Sequence, residues 1–517
     1  MDTGLCDFIK SKIKLITVEP VLFLYMMIIF LETNALQELI YVKLCLRHYP
    51  ENETLCSLAS KESRKELLNE TAKWVKYYGC FLFLSTFLIS FYVASWSDRY
   101  GRKITMLIPP IGTVIASCIN CVLSVYINTH VAYFFISAVV SGLSFGSVGV
   151  IAATFGFISD VTREESRTKR IVVLEAMIFI GGTCGIHVAG ALLSNEKLHF
   201  KLNSFAQLFF HELLIAAIIA IYVMLRIPRW TLQDQSSNTS TSFKEVFSLR
   251  YAKDSFKVVF RRRDSDKRKC ILLIFLALFF IYFGSVVQTI LGYLYVKNLE
   301  WKFPKYSYYY SIQFIVEGVA LLFGLPLIIH FLHVSDHFVA ILGLSSRMAG
   351  YMLYGLSTSD AMVYSCAALY MFSEFPIPAI RSILSKTVDA GERGSIFAFM
   401  TILQNLCYLL GSPVLLTIFN ASSFCGLSFE VVAIMQALAL IIILYLSLTR
   451  KNIVTVYKTM EKAWLNTSLF TSPKKSDLGC LKAPGFSQDY IENQSSFTED
   501  GGTEERCDVI STTGSIN

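Results

Sequence analysis

Long apolar runs alternate with short polar segments along the chain. A helix needs about 20 apolar residues to cross the hydrocarbon core of a bilayer. Twelve runs reach that length, at 18–42, 76–97, 104–126, 131–159, 170–194, 204–227, 270–296, 306–333, 337–357, 360–384, 394–419 and 428–450. The pattern predicts an all-α membrane protein with twelve transmembrane helices in two pseudo-symmetric six-helix halves, 18–227 and 270–450. A polar, basic stretch over 228–269 reads as a linker lying on anionic lipid head groups. Residues 1–17 precede the first span, and 451–517 read as a disordered tail, rich in Ser, Thr and acids toward its end. The first run starts at Val18-Glu19-Pro20 and lacks a small-residue cleavage site, so it reads as a spanning helix that stays.

The basic residues of the loops orient these spans. Lys10, Lys12 and Lys14 precede span 1; Arg99, Arg102 and Lys103 follow span 2; Arg163, Arg167, Lys169 and Arg170 follow span 4. The linker holds Arg261-Arg262-Arg263 and Lys267-Arg268-Lys269, Lys386 and Arg393 follow span 10, and Arg450-Lys451 end span 12. The loops between spans 3 and 4, 9 and 10, and 11 and 12 carry no Lys or Arg. Both termini are therefore expected in the cytoplasm, in a multi-pass protein of the plasma membrane or of an endosomal or lysosomal membrane. The loop over 43–75, on the opposite side, holds two N-glycosylation triplets, at Asn52 and Asn69.

Composition excludes a string of soluble domains: 54% of the 517 residues are hydrophobic and 16% charged, against about 25% charged in soluble chains. Mean hydropathy is +0.52, and the net charge of +7 is modest. Most of the 13 Cys, Cys80, Cys118, Cys121, Cys184, Cys366 and Cys407 among them, lie within or beside apolar runs, where a thiol acts as a small apolar side chain. Gly142-Leu143-Ser144-Phe145-Gly146 spells a hydrolase elbow but sits in a spanning run, where small residues allow close helix contact. No phosphate-binding loop, zinc motif or nucleophile–base set is legible. The chain is not expected to be an enzyme, to hold a cofactor or metal, or to bind nucleic acid; an ion gradient is left as the energy source for uphill movement.

The halves repeat locally. Ser97-Asp98-Arg99 follows span 2 and Ser335-Asp336-His337 follows span 8. Asp98-Arg99-Tyr100-Gly101-Arg102-Lys103 resembles the loop signature of the major facilitator superfamily, in which Gly101 permits the tight turn. Within that superfamily the chain resembles solute carrier family 46, the proton-coupled folate transporter group. The likeness rests on Val18-Glu19-Pro20-Val21, Ser159-Asp160-Val161, Leu174-Glu175-Ala176, Ile380-Arg381-Ser382 and Ser395-Ile396-Phe397-Ala398. It implies a proton-coupled symporter of an organic anion such as a folate-like solute, with protons as the coupling ion and membrane lipids as surroundings. Export of muramyl peptides or cyclic dinucleotides from endolysosomes is the alternative, and a non-transporting receptor or scaffold the third reading.

Charges at membrane depth are costly and usually line an interior cavity. Glu175 lies in span 5, and the resemblance maps it onto the carboxylate tied to proton coupling; a helix-fixing salt bridge is the other reading. Arg381 follows Pro376 and Pro378, which permit a bend. Its guanidinium suits a carboxylate, and the resemblance ties it to substrate, although it also reads as a basic helix end. Asp160 reads equally as a proton-coupling residue or as a partner of Arg163 or Arg167. Gln37 and Glu317, with Tyr282, are further substrate-binding candidates; Asp98, Arg102 and Lys103 are the gating candidates. Glu32 and Glu38 fall near one face of span 1 with Gln37, while Arg347 and Glu374 are either a compensating pair or the mark of a different substrate. Tyr282 stands where the folate transporter has a histidine; a phenol does not titrate near neutral pH as imidazole does, which counts against folate. His187 and His211 read as hydrogen-bonded scaffold.

Overall fold

The computed structural model describes residues 17–48, 61–126, 128–162, 164–194, 198–228, 256–261, 263, 265–388, 392–422, 424 and 426–468, and within them every regular element is helical. The first half comprises α1 (Glu19–His48), α2 (Lys61–Tyr100), α3 (Arg102–Val125), α4 (Phe134–Leu143), α5 (Gly146–Val161), α6 (Glu164–Leu192) and α7 (Leu198–Arg226). The second comprises α8 (Ser265–Asn298), α9 (Phe303–Val319), α10 (Leu325–Leu332), α11 (Asp336–Leu356), α12 (Asp360–Leu369), α13 (Pro376–Thr387), α14 (Arg393–Ala421) and α15 (Leu427–Ser468). Each of the twelve expected spans has a helical counterpart, spans 4, 8 and 10 as interrupted pairs. Ten stretches are long and apolar enough to cross a membrane by length and composition. The other two, α11 and the α12–α13 pair, fall short because buried charge and breaks interrupt them.

The interruptions have local causes. Span 4 divides at Phe145, whose φ of 68° leaves the helical region, followed by Gly146 at φ 49°. Span 8 carries a π-helical turn at Ala320–Gly324 just before Pro326. Proline lacks an amide hydrogen and its ring crowds the preceding turn, and the wider turn absorbs that mismatch. Span 10 narrows to a 3-10 turn at Tyr370–Phe372 and restarts at Pro376, so the bend expected from the two prolines is present.

Small residues set the close contacts. A Cβ on Gly181 would lie 2.3 Å from the Phe23 carbonyl oxygen, and one on Gly185 2.1 Å from that of Met27. Two glycines four apart thus let α6 lie backbone to backbone on α1. A Cβ on Gly142 would likewise lie 2.6 Å from the Leu82 carbonyl oxygen of α2, which gives the G-x-S-x-G run its packing role. Between halves, α2 packs on α14 and α6 on α9.

Four expectations need correction. Span 2 begins well before 76, because the charged stretch from Lys61 is helical too. The linker is not wholly a lipid-surface segment: residues 256–260 are helical, and Phe256 and Phe260 meet Phe399 edge-on at 5.0 and 6.3 Å. The tail is not irregular from 451, since α15 runs to Ser468 and no Gly or Pro interrupts it. The cysteines are not all lone apolar side chains: Cys45 is disulfide-bonded. One compact unit ends at Thr449 and a second begins at Arg450.

Candidate functional site

The second half builds its polar centre on α11. Arg347, Tyr351 and Tyr354 recur at helical spacing on its buried face. Arg347 is 4% exposed. Its Nη2 donates to Glu374 Oε1 at 2.9 Å and its Nη1 to Ser285 Oγ at 3.1 Å. Glu374 comes from the break between α12 and α13, so the interruption of span 10 is what turns this carboxylate toward α11. Glu317 of α9, 5% exposed, accepts from Gln313 Nε2 at 2.9 Å and faces both members of the pair. Arg347 and Glu374 are therefore partners, the first of the two readings.

Arg381 and Glu175 lie within electrostatic reach of each other across the halves, without an ion pair between them. Arg381 projects exposed from α13, and its guanidinium lies within electrostatic reach of Glu175 on α6 and Tyr282 on α8. Glu175 is half-buried and is also within reach of Glu374. Three carboxylates (Glu175, Glu317 and Glu374) thus share one region with two guanidiniums (Arg347 and Arg381). Tyr282 is buried beside them, and Tyr408 of α14 is within reach of Arg347.

Aromatic rings cap this region on the side toward Trp301. Phe314 of α9 lies 4.6 Å from Phe30 of α1 and 5.2 Å from Phe179 of α6, ring centre to ring centre. Tyr310 meets Phe314 edge-on at 6.0 Å. Phe83 and Tyr408 meet at 5.6 Å between α2 and α14.

The two ends of the bundle differ. At the Trp301 end the halves are tied together. Glu38 of α1, 2% exposed, accepts from Lys297 Nζ and from Tyr293 OH of α8. The Lys297 ammonium sits 3.5 Å from the centre of the Tyr41 ring, a cation–π contact. Arg64 Nη1 meets Glu300 Oε1 at 2.7 Å. At the Gly101 end, the ion pairs of the described residues stay within each half. Arg102 Nε meets Asp160 Oδ2 at 3.0 Å, Arg170 meets Glu19 at 2.8 Å, and Lys386 meets Asp336 at 2.7 Å. Beyond the π turn, α10 buries none of its residues. Among the described residues, ion pairs join the halves at the Trp301 end and not at the Gly101 end.

A model of the Major Facilitator Superfamily matches residues 77–412. The chain belongs to that superfamily. Among curated relatives, the Rattus norvegicus proton-coupled folate transporter is 25% identical over 362 residues, covering 69% of this chain and 74% of the relative. The lysosomal proton-coupled steroid conjugate and bile acid symporter of Gallus gallus is 24% identical over 460 residues, covering 85% and 95%. A probable peptidoglycan muropeptide transporter of Drosophila melanogaster is 21% identical over 411 residues, covering 76% and 77%. These relatives agree with the solute carrier family 46 resemblance. Among solved structures, the human organic anion transporter MFSD10 superposes with a TM-score of 0.57 at 16% identity, covering 82% of this chain and 98% of that one. A D-xylose-proton symporter does so at 0.59 and 15%, covering 82% and 96%. This major facilitator protein is a membrane transporter of small molecules and not an enzyme.

Of the residues singled out in the sequence, Glu175, Arg381, Tyr282 and Glu317 come together in this region. Gln37 is buried on α1 beside Glu38. Asp160 pairs with Arg102; the side chains of Arg163 and Arg167 lie outside the described residues. Lys103 Nζ donates to the Met224 carbonyl at 2.7 Å, anchoring α3 to α7. The side chain of Asp98 and all of Asn52 lie outside the described residues. Asn69 sits in helix α2, and the Thr71 of its triplet is buried with its hydroxyl on the Leu67 carbonyl at 2.8 Å. His211 Nδ1 lies 2.6 Å from the Gln207 carbonyl, a scaffold contact. Lys297, Gln313, Ser285 and Tyr408 were not legible as site residues: a lysine at a span end and single polar residues in apolar runs carry no signal alone. Glu212, a carboxylate inside span 6, was not singled out in the sequence.

Proposed function

We propose that the protein is a proton-coupled symporter of an organic anion, working by alternating access. The observation that supports this reading is that Glu175 and Arg381 lie within electrostatic reach of each other across the two halves, within a region holding one more carboxylate than guanidinium. A substrate carboxylate or phosphate that takes Arg381 bidentately removes the cation facing Glu175. A half-buried carboxylate deprived of its cation takes up a proton. A monoanionic substrate and the proton together add no net charge to the region, and the halves can reorient. Release of the solute returns Arg381 to Glu175, and the proton leaves toward the less acidic side. Ion pairs that join the halves at the Trp301 end, and not at the Gly101 end among the described residues, fit a state open to the Gly101 side. Asp98, Arg102 and Lys103 act at that gate, with Asp160 holding Arg102.

The positive-inside pattern supports a cytoplasmic Gly101 end and cytoplasmic termini. The Cys45 disulfide, at the other end, fits an oxidising compartment there. The Phe30–Phe314–Phe179 cap and Tyr310 supply flat apolar surface for a ring-bearing solute. Tyr282 favours a cargo other than folate, because it removes the titratable imidazole from that position. An endolysosomal exporter of muramyl peptides or cyclic dinucleotides fits the same site, as does a carrier of anionic steroid conjugates, in line with the names of the relatives.

The test is radiotracer uptake into cells at acidic and neutral external pH, with folates, steroid conjugates, muramyl peptides and cyclic dinucleotides as tracers and competitors. Acid-stimulated, saturable uptake of one anionic class is the expected result. Saturable binding with no flux of any of them identifies a receptor instead.

A further inference from the structure

A second group of buried acids lies apart from the cleft, inside the first half. Glu32 of α1 and Glu212 of α7 face each other. Asn120 of α3 donates from Nδ2 to Glu32 Oε1 at 3.0 Å. Glu212 and Asn120 are both fully buried, and neither Glu212 oxygen nor Asn120 Oδ1 has a hydrogen-bond partner among the described residues. Ser117 is the neighbouring hydroxyl within reach of Glu212, but its single hydrogen is directed elsewhere. Ser117 donates to the Thr113 carbonyl at 2.7 Å, and Tyr25 OH meets Thr113 Oγ1 at 3.4 Å. The titratable groups facing the two acids are Tyr25 of α1 and Tyr78 of α2. Among the described residues no Lys, Arg or His faces either carboxyl.

The inventory is three unpartnered acceptor oxygens, two carboxyls and no cation. Two carboxylates held together in a dry site cannot both stay ionised. Asn120 donates one amide hydrogen to Glu32 and leaves its own Oδ1 without a donor, so the cluster is short of hydrogens. We propose that Glu32 and Glu212 form a proton-binding site in the first six-helix half, holding one proton between their two carboxyls. The protonated acid becomes an O–H donor to its neighbour's carboxylate, and the pair then carries a single negative charge. Glu32 is only half-buried whereas Glu212 is sealed, so protons enter and leave through Glu32. The site shares no residue with the Glu175–Arg381 region and does not depend on the cargo proposed for it. A metal ion fits less well, because about six oxygen ligands exceed what these side chains offer.

The test is infrared absorption of the full-length protein purified into lipid nanodiscs at neutral pH, in light and in heavy water. The wild type is expected to show a protonated-carboxyl carbonyl band that shifts down on deuteration. The band should persist in Glu175→Gln and be lost in the double variant Glu32→Gln/Glu212→Gln. In Glu32→Gln alone the band should move and its deuterium exchange should slow, because the entry carboxyl is gone; this single variant also serves if the double one does not fold. Loss of nothing but carboxylate bands on removing the pair would overturn the proposal. So would a band that responds to added sodium chloride rather than to pH, which would mark a metal-ion site.

Discussion

Arg347 is the cation on which the polar centre of the second half depends. Removing one partner of a buried ion pair strands the other charge, at a cost of about 3–5 kcal/mol. Arg347→Ala leaves Glu374 and Glu317 facing each other without a cation, and Glu374 is partly exposed (37% of its side chain). The expected loss is therefore at the low end of that range, read as a lowered thermal unfolding midpoint in detergent. Glu374→Gln should cost less, since an amide still accepts from the guanidinium. Arg381→Ala should leave folding intact, because its guanidinium is exposed, while weakening apparent affinity for an anionic solute at least tenfold in uptake assays. These roles were only partly legible beforehand. A charge within an apolar run is visible as costly, so Glu175, Glu317, Arg347, Glu374 and Arg381 could be singled out. Which carboxylate faces which guanidinium depends on helix rotation and on the break in span 10, and one-dimensional spacing does not report either. Asp160 shows the same limit: Arg102, which the sequence did not mark as its partner, reaches it from a different helix.

At the scale of elements, the close approach of α1 and α6 depends on Gly181 and Gly185. Gly185→Ala would place a methyl group 2.1 Å from the Met27 carbonyl, contact that only a backbone shift relieves. The expected cost is about 1–3 kcal/mol, seen as a smaller monodisperse fraction in size-exclusion chromatography and a lower unfolding midpoint. Phe145→Gly tests the break in span 4 from the other direction. Glycine accepts positive φ without strain, but the substitution also removes a ring that is 3% exposed. That burial term, about 3–5 kcal/mol for a large aromatic, exceeds any relief of strain, so the variant should be less stable. The existence of the twelve helical segments was readable from apolar run length. Their interruptions were not, except at Pro376 and Pro378, because a π turn or a single left-handed residue leaves the hydrophobic pattern unchanged. The extension of α15 to Ser468 was missed for a related reason: polar composition argued for disorder where backbone propensity allows a helix to continue.

At the scale of the whole molecule, the halves are tied at the Trp301 end by the buried set Glu38, Lys297, Tyr293 and Tyr41. Lys297→Ala should favour the opposite opening by leaving Glu38 buried without its cation. A single cysteine introduced on the Gly101 side of the cleft should then label more slowly with a membrane-impermeant thiol reagent than in the wild-type background. The measurement that bears most directly on the central claim uses purified protein in proteoliposomes with an imposed proton gradient and the solute found by the uptake screen. Wild-type protein should concentrate that solute against its gradient, and solute addition should drive protons in the same direction. Glu175→Gln should still exchange solute across the membrane but no longer accumulate it or move protons. Full pH-driven accumulation by Glu175→Gln would contradict the account.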